Sequence, residues 1–223
     1  MNATSTPASY IARYMLGGAP HLLPVGAREC QRAEEFFARV IREEDVARGR
    51  KALIIATLAE AATMLPFERA LIKMGLIVCN AEASPYDGAR TEATLRRFDV
   101  AVIAPVCGTA LDAIAVTGFD AALLFRGKIV WAKPDVYARL QNAPGIDLRR
   151  WLDLGPVTAL ETRHGGGLLV DGREWRVEPE GNATYVSSRL DRAMPFERLR
   201  IPVAVKLNEH TYNANLPGPR VII

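Results

Sequence analysis

The stretch covering residues 155–200, GPVTALETRHGGGLLVDGREWRVEPEGNATYVSSRLDRAMPFERLR, decides the fold of the last third of this chain. The helical period of the preceding segment stops here, and short apolar runs alternate with glycine-rich turns. Residues 165–167 open a predicted hairpin whose turn lies at Asp171-Gly172. The predicted strands are 168–171, 174–178, Ala183–Ser188 and 201–207. The pattern indicates a β-rich segment over residues 154–223.

Residues 15–153 show a different pattern, in which apolar runs of strand length alternate with helical segments. Residues 26–42 are predicted to form an amphipathic helix, because Phe36, Val40 and their apolar neighbours recur near the 3.6-residue period. The predicted strands are 51–58, 76–80, 99–105 and, by composition, 121–131. The other predicted helices are 60–74, Gly88–Arg97, Gly108–Val116 and Pro134–Leu140. This alternation predicts an α/β fold with a parallel, doubly wound sheet. Residues 1–14 are small and polar, and are predicted to form an N-terminal tail.

Composition narrows the possible environments and partners. The three cysteines, Cys30, Cys79 and Cys107, are an odd number without CxxC spacing. A disulfide framework or zinc site is therefore not expected. The chain is expected to be in a reducing cytoplasm. No apolar run approaches the ~18 residues that a membrane helix needs, and the first residues lack the pattern of a signal peptide. The net charge of +3 is not concentrated in any cluster, so neither nucleic acid nor membrane is predicted as a partner.

Five blocks in this order resemble the phenylacetate–CoA ligase branch of the AMP-forming (adenylate-forming) ligases. The blocks are GGAPHLLPVG at 17–26, the helix at 28–42, TEATLRRFDVAVIAP at 91–105, the GPVTALE segment at 155–161 and RAMPFERLR at 192–200. The resemblance extends over roughly residues 15–207. It implies the N-terminal domain fold of these ligases, with ATP or AMP and CoA as cofactors and an acyl or aryl acid as substrate.

The family's phosphate loop stands at residues 17–26 by this resemblance. In the family, a loop rich in hydroxyl side chains and carrying a Lys cradles the ATP phosphates. Here Gly17 and Gly18 remain, the hydroxyls and the Lys are absent, and His21 is the nearby polar side chain. Two interpretations stay open: a degenerate nucleotide loop, or a turn that caps the following helix.

Other positions are assigned by the same comparison. Leu154 and Gly155 stand at the family's aromatic–glycine pair, and Glu161 is the candidate for its metal-holding acid or is an ordinary strand residue. Arg198 and Arg200 match the family's arginine pair, but Ile201-Pro202 replaces the acidic residue that binds ribose. No metal-binding set is predicted for the chain itself.

Cys107 has three interpretations. A thiol at a helix N-terminus can be an activated nucleophile, and Cys107 directly precedes a predicted helix. Most free cysteines are instead small core residues. In the family this turn lies beside the acyl or aryl pocket, so the resemblance implies that Cys107 lines that pocket.

The residue losses favour a truncated and degenerate relative of the ligases. The family's C-terminal domain, with its catalytic Lys, would need about another hundred residues. The favoured function is therefore an acyl- or aryl-binding protein, or an accessory subunit of a ligase or carrier-protein system, without adenylation activity of its own. The alternatives are a trimmed ligase completed by a partner chain, and an enzyme that reuses the pocket with Cys107, His21 or Glu161.

The same losses predict that the chain associates with itself or with a partner. Surface that a complete ligase covers would be left open here, and exposed apolar patches mark interaction sites. The tail at 211–223 is apolar at its end. It is predicted either to pair with a neighbouring subunit's sheet or to fold back on its own domain.

Overall fold

The computed structural model describes residues 7–208 and 218–223, and within them the chain forms 14 strands and six α-helices. The strands are β1 (Ala8–Leu16), β2 (Ala19–Gly26), β3 (Lys51–Ala56), β4 (Ile77–Glu82), β5 (Val100–Val106), β6 (Ile129–Ala132), β7 (Asp147–Leu154), β8 (Val157–Glu161), β9 (Leu168–Leu169), β10 (Trp175–Glu180), β11 (Ala183–Ser188), β12 (Leu199–Ile201), β13 (Lys206–Asn208) and β14 (Arg220–Ile222). The helices are α1 (Ala27–Glu43), α2 (Ala61–Lys73), α3 (Gly88–Arg97), α4 (Gly108–Val116), α5 (Ala121–Phe125) and α6 (Pro134–Leu140). A 3-10 turn, Leu58–Glu60, precedes α2.

Five parallel strands in the order β4-β3-β5-β6-β7 form one half of the large sheet. Their apolar runs are buried because helices cover both faces: α1 and α2 pack on one, and α3 to α6 on the other. The predicted α/β fold with a doubly wound parallel sheet is confirmed. The strand order reverses between β3 and β5, and ligands of such sheets bind at the carboxyl ends of the strands near this point.

Strand β7 joins the two halves of the sheet. It pairs in parallel with β6 over residues 147–150 and antiparallel with β8 over residues 151–154. The predicted division at 153/154 therefore falls inside one continuous sheet. Strand β7 is hard to recognise in the sequence DLRRWLDL, because Arg149 and Arg150 interrupt the apolar run. In the folded chain these two arginines form ion pairs with Glu44 and Glu161.

The β-rich C-terminal segment is present, but the predicted pairing within it is wrong. Strand β9 pairs with β8 and β14, whereas β10 pairs with β11 in a separate three-stranded sheet. The chain turns at Asp171, whose carbonyl accepts hydrogen bonds from the amides of Glu174 and Trp175, and leaves one sheet for the other. The predicted strand 201–207 likewise divides into β12 and β13.

The N-terminal segment is a hairpin and not a tail over its described part. Residues 8–16 form β1, which pairs antiparallel with β2. Ala12 and Tyr14 are buried while Arg13 and Met15 are exposed, so the strand period of two is present in a segment too polar to show it clearly. Residues 1–6 lie outside the described residues. Residues 121–125 are helical, where strand character was predicted, and the strand β6 begins later.

The end of the chain folds back on its own domain. Strand β14 lies between β9 and β13 of the large sheet. The buried guanidinium of Arg220 donates to the carbonyls of Gly165 and Gly167 at 3.0 and 3.2 Å. Of the two arrangements predicted for the tail, this one applies to residues 218–223. Residues 211–217, including Leu216, lie outside the described part. Association of the chain with itself or with a partner stays a prediction.

Phe67 is the centre of the α1–α2 core and offers a test of the fold. Its ring contacts Phe37, Trp131 and Trp151, with centroids 5.3, 6.2 and 5.4 Å away. We expect Phe67→Ala to lower the free energy of unfolding by about 3–5 kcal/mol in urea denaturation, because it empties a fully buried site. Tyr86→Ala is the control: Tyr86 is 95% exposed, so its loss should cost under about 0.5 kcal/mol. Equal effects of the two substitutions would contradict this core.

Candidate functional site

A charged cluster lies at the carboxyl edge of the parallel strands. Lys133 directly follows β6, and its Nζ lies 2.6 Å from Oε1 of Glu60 and 3.1 Å from Oδ2 of Asp153. Glu60 is held by Thr57, whose backbone amide and hydroxyl donate to its Oε2 at 2.9 and 3.2 Å. Asp153 accepts a second hydrogen bond, at 3.0 Å, from Nε1 of Trp151. The cluster thus joins the ends of β3, β6 and β7.

In this cluster, the ion pairs affect the pKa values of Lys133 and Glu60 more strongly than burial does. Burial by itself lowers the pKa of Lys133, but the charges of Asp153 and Glu60 leave that pKa above its ordinary value. Burial raises the pKa of Glu60, yet Lys133 and the hydrogen bonds from Thr57 bring it below its ordinary value. Lys133 and Glu60 are therefore charged at neutral pH, and the ammonium of Lys133 is shared between the side chains of Glu60 and Asp153.

The β1–β2 hairpin covers this edge and encloses a cavity of about 90 Å³, called the edge cavity below. Its lining residues are Arg13, Tyr14, Met15, Leu23, Glu60, Ala62, Thr63, Met64, Lys133, Asp153, Gly155 and Pro156. Arg13 is exposed at the mouth and makes no ion pair within residues 7–208 and 218–223. Its guanidinium is therefore available to an anion, unlike the ammonium of Lys133.

The hairpin contains three of the residues that the resemblance assigned. Gly17 and Gly18 form its tight turn, with φ of 57° and 82°, and are open to solvent away from the lining of the edge cavity. Gly17 and Gly18 thus form a turn between two strands, and the helix-capping interpretation applies to Gly26 alone, which is the N-cap residue of α1. His21 lies on β2, and its ring stacks on Tyr14 with centroids 5.3 Å apart.

Gly155 is the assigned residue that lines the edge cavity. Its φ of 60° and the 2.8 Å approach of Ile201 Cδ1 to a Cβ at this position favour glycine. This close packing explains the glycine structurally. Whether Gly155 also contacts a cofactor stays a prediction.

Glu161 lies outside the lining of the edge cavity, and its carboxylate is bound by Arg150. Its carboxylate accepts from the backbone amide, Nε and Nη2 of Arg150 at 3.0, 3.1 and 3.1 Å. Its backbone carbonyl accepts a hydrogen bond from Nε1 of Trp131 at 2.9 Å. These contacts agree with the interpretation of Glu161 as a strand residue. The metal-holding role assigned by resemblance stays a prediction.

The arginine pair and Cys107 are also apart from the edge cavity. Arg198 donates to Glu180 at 2.6 Å and lies over the ring of Tyr185, while Arg200 is exposed on β12. Cys107 is the N-cap residue of α4, half-buried against the core between the sheet and α3 to α6. The cofactor role of the arginines and the catalytic or lining role of Cys107 stay predictions.

The RAMP sequence at 192–195 has a structural role that the sequence did not reveal. Arg192 lies 2.9 Å from Oε2 of Glu29 and 3.0 Å from Oε2 of Glu174, with its guanidinium 4.3 Å from the ring centroid of Trp175. The amide of Ala193 donates to Glu29 at 2.6 Å. Glu174 also pairs with Arg32. These buried contacts attach the start of α1 to the C-terminal segment.

Two features are absent from residues 7–208 and 218–223. No group of three or more His, Cys, Asp or Glu side chains is arranged to hold a metal ion there. Within the same residues, every helix is too short or too polar to cross a membrane.

Comparison with known proteins places the fold among the adenylate-forming ligases. An open form of 2-hydroxyisobutyryl-CoA ligase in complex with 2-HIB-AMP and CoA superposes with a TM-score of 0.73 at 13% identity, over 96% of this chain and 56% of that chain. The anthranilate CoA ligase AuaEII in complex with anthranoyl-AMP gives 0.54 at 11% identity, over 82% of this chain and 39% of that one. The amide bond synthetase McbA from Marinactinospora thermotolerans gives 0.53 at 14%, over 93% and 48%.

The chain spans between 39% and 56% of the length of these solved structures. No family model and no curated protein sequence matches it. At such low identity the comparison shows the fold alone, which is that of the adenylate-forming ligases and which the sequence resemblance predicted. The phenylacetate–CoA branch is not distinguished from the others.

The patterns of the sequence did not single out Lys133, Glu60 and Arg13. The position of Lys133 in the sequence could have identified it. It directly follows the buried strand IVWA, and a residue after such a strand lies at the carboxyl edge of a parallel sheet. Glu60 is 73 positions away from Lys133, and nothing local joins the two. Arg13 lay in a segment predicted to be a tail.

The charged cluster predicts a pH-dependent effect of Lys133→Met. This substitution leaves Glu60 and Asp153 without their cation, so we expect the free energy of unfolding at pH 7 to fall by about 1–3 kcal/mol. The lowered pKa of Glu60 stabilises the native chain above the unfolded value of about 4.3, and that contribution is lost as the pH falls through the folded value. The deficit of the variant should therefore shrink toward acid pH.

Urea denaturation between pH 7 and pH 3.5 would measure this effect. Lys133→Arg is the matched control, since it keeps the charge and should recover most of the stability. A Lys133→Met deficit that is zero, or that does not change with pH, would contradict the ion pairs described above.

Proposed function

We propose that this chain is a ligase-like protein that binds a small acyl or aryl carboxylate at the edge cavity and does not adenylate it on its own. The observation that carries the proposal is the unpaired Arg13 at the mouth of a cavity whose inner cation, Lys133, is already paired twice. Arg13 begins on the outer face of the hairpin opposite Leu22, and its side chain would extend over the mouth, where its planar fork matches a carboxylate.

The walls of the edge cavity suit the hydrocarbon part of such an acid. Leu23, Met64 and Pro156 line the inside, and Met15 is 55% exposed at the outside. A space of about 90 Å³ holds the first atoms of a ligand, so the remainder would extend along the hairpin. The comparison proteins support this class of ligand, since two of them are complexes with 2-HIB-AMP and with anthranoyl-AMP.

Three observations argue against adenylation by the chain alone. The hairpin turn at Gly17 and Gly18 offers no hydroxyl or Lys to a triphosphate. The carboxylate of Glu161 is bound by Arg150. The ammonium of Lys133 is already paired with two carboxylates, which leaves it little attraction for a triphosphate. These features favour a degenerate relative of the phenylacetate–CoA ligase branch over an active enzyme.

The outer face of the hairpin suits an accessory role. Ile11, Met15 and Leu22 are 64%, 55% and 63% exposed there, beside the mouth of the edge cavity. Exposed apolar side chains next to a ligand site mark a contact surface for another protein. A ligase or carrier protein seated on this face would meet the bound acid directly, as would a second copy of the chain.

The binding proposal predicts that Arg13→Gln weakens carboxylate binding. Isothermal titration of phenylacetate, benzoate and hexanoate should give at least one acid that binds the native chain, and about tenfold weaker binding to the variant, because a charge-assisted hydrogen bond is lost. Arg97→Gln is the control, since Arg97 is exposed on α3 and likewise makes no ion pair within the described residues. The proposal fails if none of the acids binds, or if the two variants lose affinity equally.

The isolated chain is expected not to catalyse adenylation. With ATP, Mg²⁺ and an acid that binds, the isolated chain should release no pyrophosphate above the uncatalysed background. A coupled pyrophosphate assay would detect turnover far below the ~1 per second of ordinary enzymes. Acid-dependent release of pyrophosphate would show an active ligase and refute this part of the proposal, while the binding result would stand independently.

A further inference from the structure

A second and larger cavity lies on the other side of Met64 from the edge cavity. It is a cleft of about 440 Å³ at the carboxyl ends of β3 and β4, bounded by the 3-10 turn and α2. This volume is within the range of small-molecule sites. Its apolar wall is formed by Leu58, Ala61, Met64 and Leu65, of which Leu58 is 93% exposed and Leu65 37%. This space is called the amine cleft below.

The polar wall of the amine cleft is acidic. Glu68 accepts a hydrogen bond at Oε1 from Nδ2 of Asn80, at 3.0 Å. Glu82 lies two residues after Asn80 on the same strand, so the two side chains share one face of β4. Neither Glu68 nor Glu82 forms an ion pair within residues 7–208 and 218–223. Two carboxylates therefore share the cleft without a cationic partner.

Arg90 is the cation of the described residues that lines the cleft, and it is already engaged. Its Nη1 lies 3.6 Å from Oδ2 of Asp87, and the same Oδ2 accepts the backbone amide of Glu82 at 2.6 Å. Asp87 thus offsets the charge of Arg90. The wall keeps a net negative charge opposite an apolar surface.

We propose that the amine cleft binds a small organic amine in its ammonium form, with an aliphatic or aryl body. The body would lie against Leu58, Ala61 and Leu65. The ammonium would lie against the wall formed by Glu68 and Glu82, since its three N–H donors suit carboxylate acceptors while Asn80 keeps its own bond. An acid of the same size is excluded by charge, so this site and the edge cavity differ in the sign of the ligand they take.

Methyl NMR of the chain labelled at leucine tests the proposal, because Leu58 and Leu65 report on this cleft alone. The probes are n-hexylammonium, hexan-1-ol and hexanoate, which share one alkyl chain and differ in charge. Hexylammonium should shift both leucines in a saturable way. The affinity should fall about tenfold or more in the Glu68→Gln/Glu82→Gln double variant, because charge-assisted hydrogen bonds are lost. Hexan-1-ol should bind more weakly, and hexanoate should leave these signals unchanged.

Two controls separate the outcomes. The other methyl signals of the double variant should match those of the native chain, which establishes that it folds. Arg13→Gln should bind hexylammonium as the native chain does, so failure of carboxylate binding at the edge cavity would not affect this result. Equal binding of hexan-1-ol and hexylammonium, no effect of the double substitution, or no shift of Leu58 and Leu65 would each overturn the proposal.

Discussion

The ion pairs of Lys133 with Glu60 and Asp153 are the constraint on which the site depends. They hold together the turn after β3, the end of β6 and the end of β7, which are the strands that define the carboxyl edge of the parallel half-sheet. They also fix the charge there, because one ammonium shared by two carboxylates has little attraction left for a phosphate. Among the described residues, a cation without an ion pair is supplied at this edge by Arg13 of the hairpin. Under the proposed function, the hairpin therefore supplies the group that would bind the acid.

A second ionic junction fixes the C-terminal segment. Arg192 lies between Glu29 of α1 and Glu174 of the loop before β10, all three nearly fully buried. Removing one member of such a group leaves an unpaired buried charge, which costs more than the intact group contributes. The RAMP block of the sequence is thus explained by attachment of the segment to α1. This accounts for its presence without any contact with the edge cavity.

The parallel half of the fold could be predicted because its signals are local. The apolar runs of β3 and β5 and the helical periods of α1, α3, α4 and α6 are each contained in one short window. The choice of partner strand is not local, so β9 and β10 were wrongly joined across the turn at Asp171. Strand β7 was missed because its arginines are neutralised by Glu44 and Glu161, which are remote in sequence. Most of the site could not be predicted for the same reason. The resemblance assigned Gly155, which lines the edge cavity, whereas Lys133, Glu60 and Arg13 are far apart in the sequence and come together only in the folded chain.

Saturation-transfer NMR on a mixture of phenylacetate, benzoate, hexanoate, ATP and Mg²⁺ tests the central claim most directly. A single spectrum then compares binding of the acids with binding of the nucleotide in one protein sample. The account predicts transfer to at least one acid and none to the adenine protons of ATP. Transfer to ATP without transfer to any acid would contradict it, because the chain would then bind the nucleotide and not the acid.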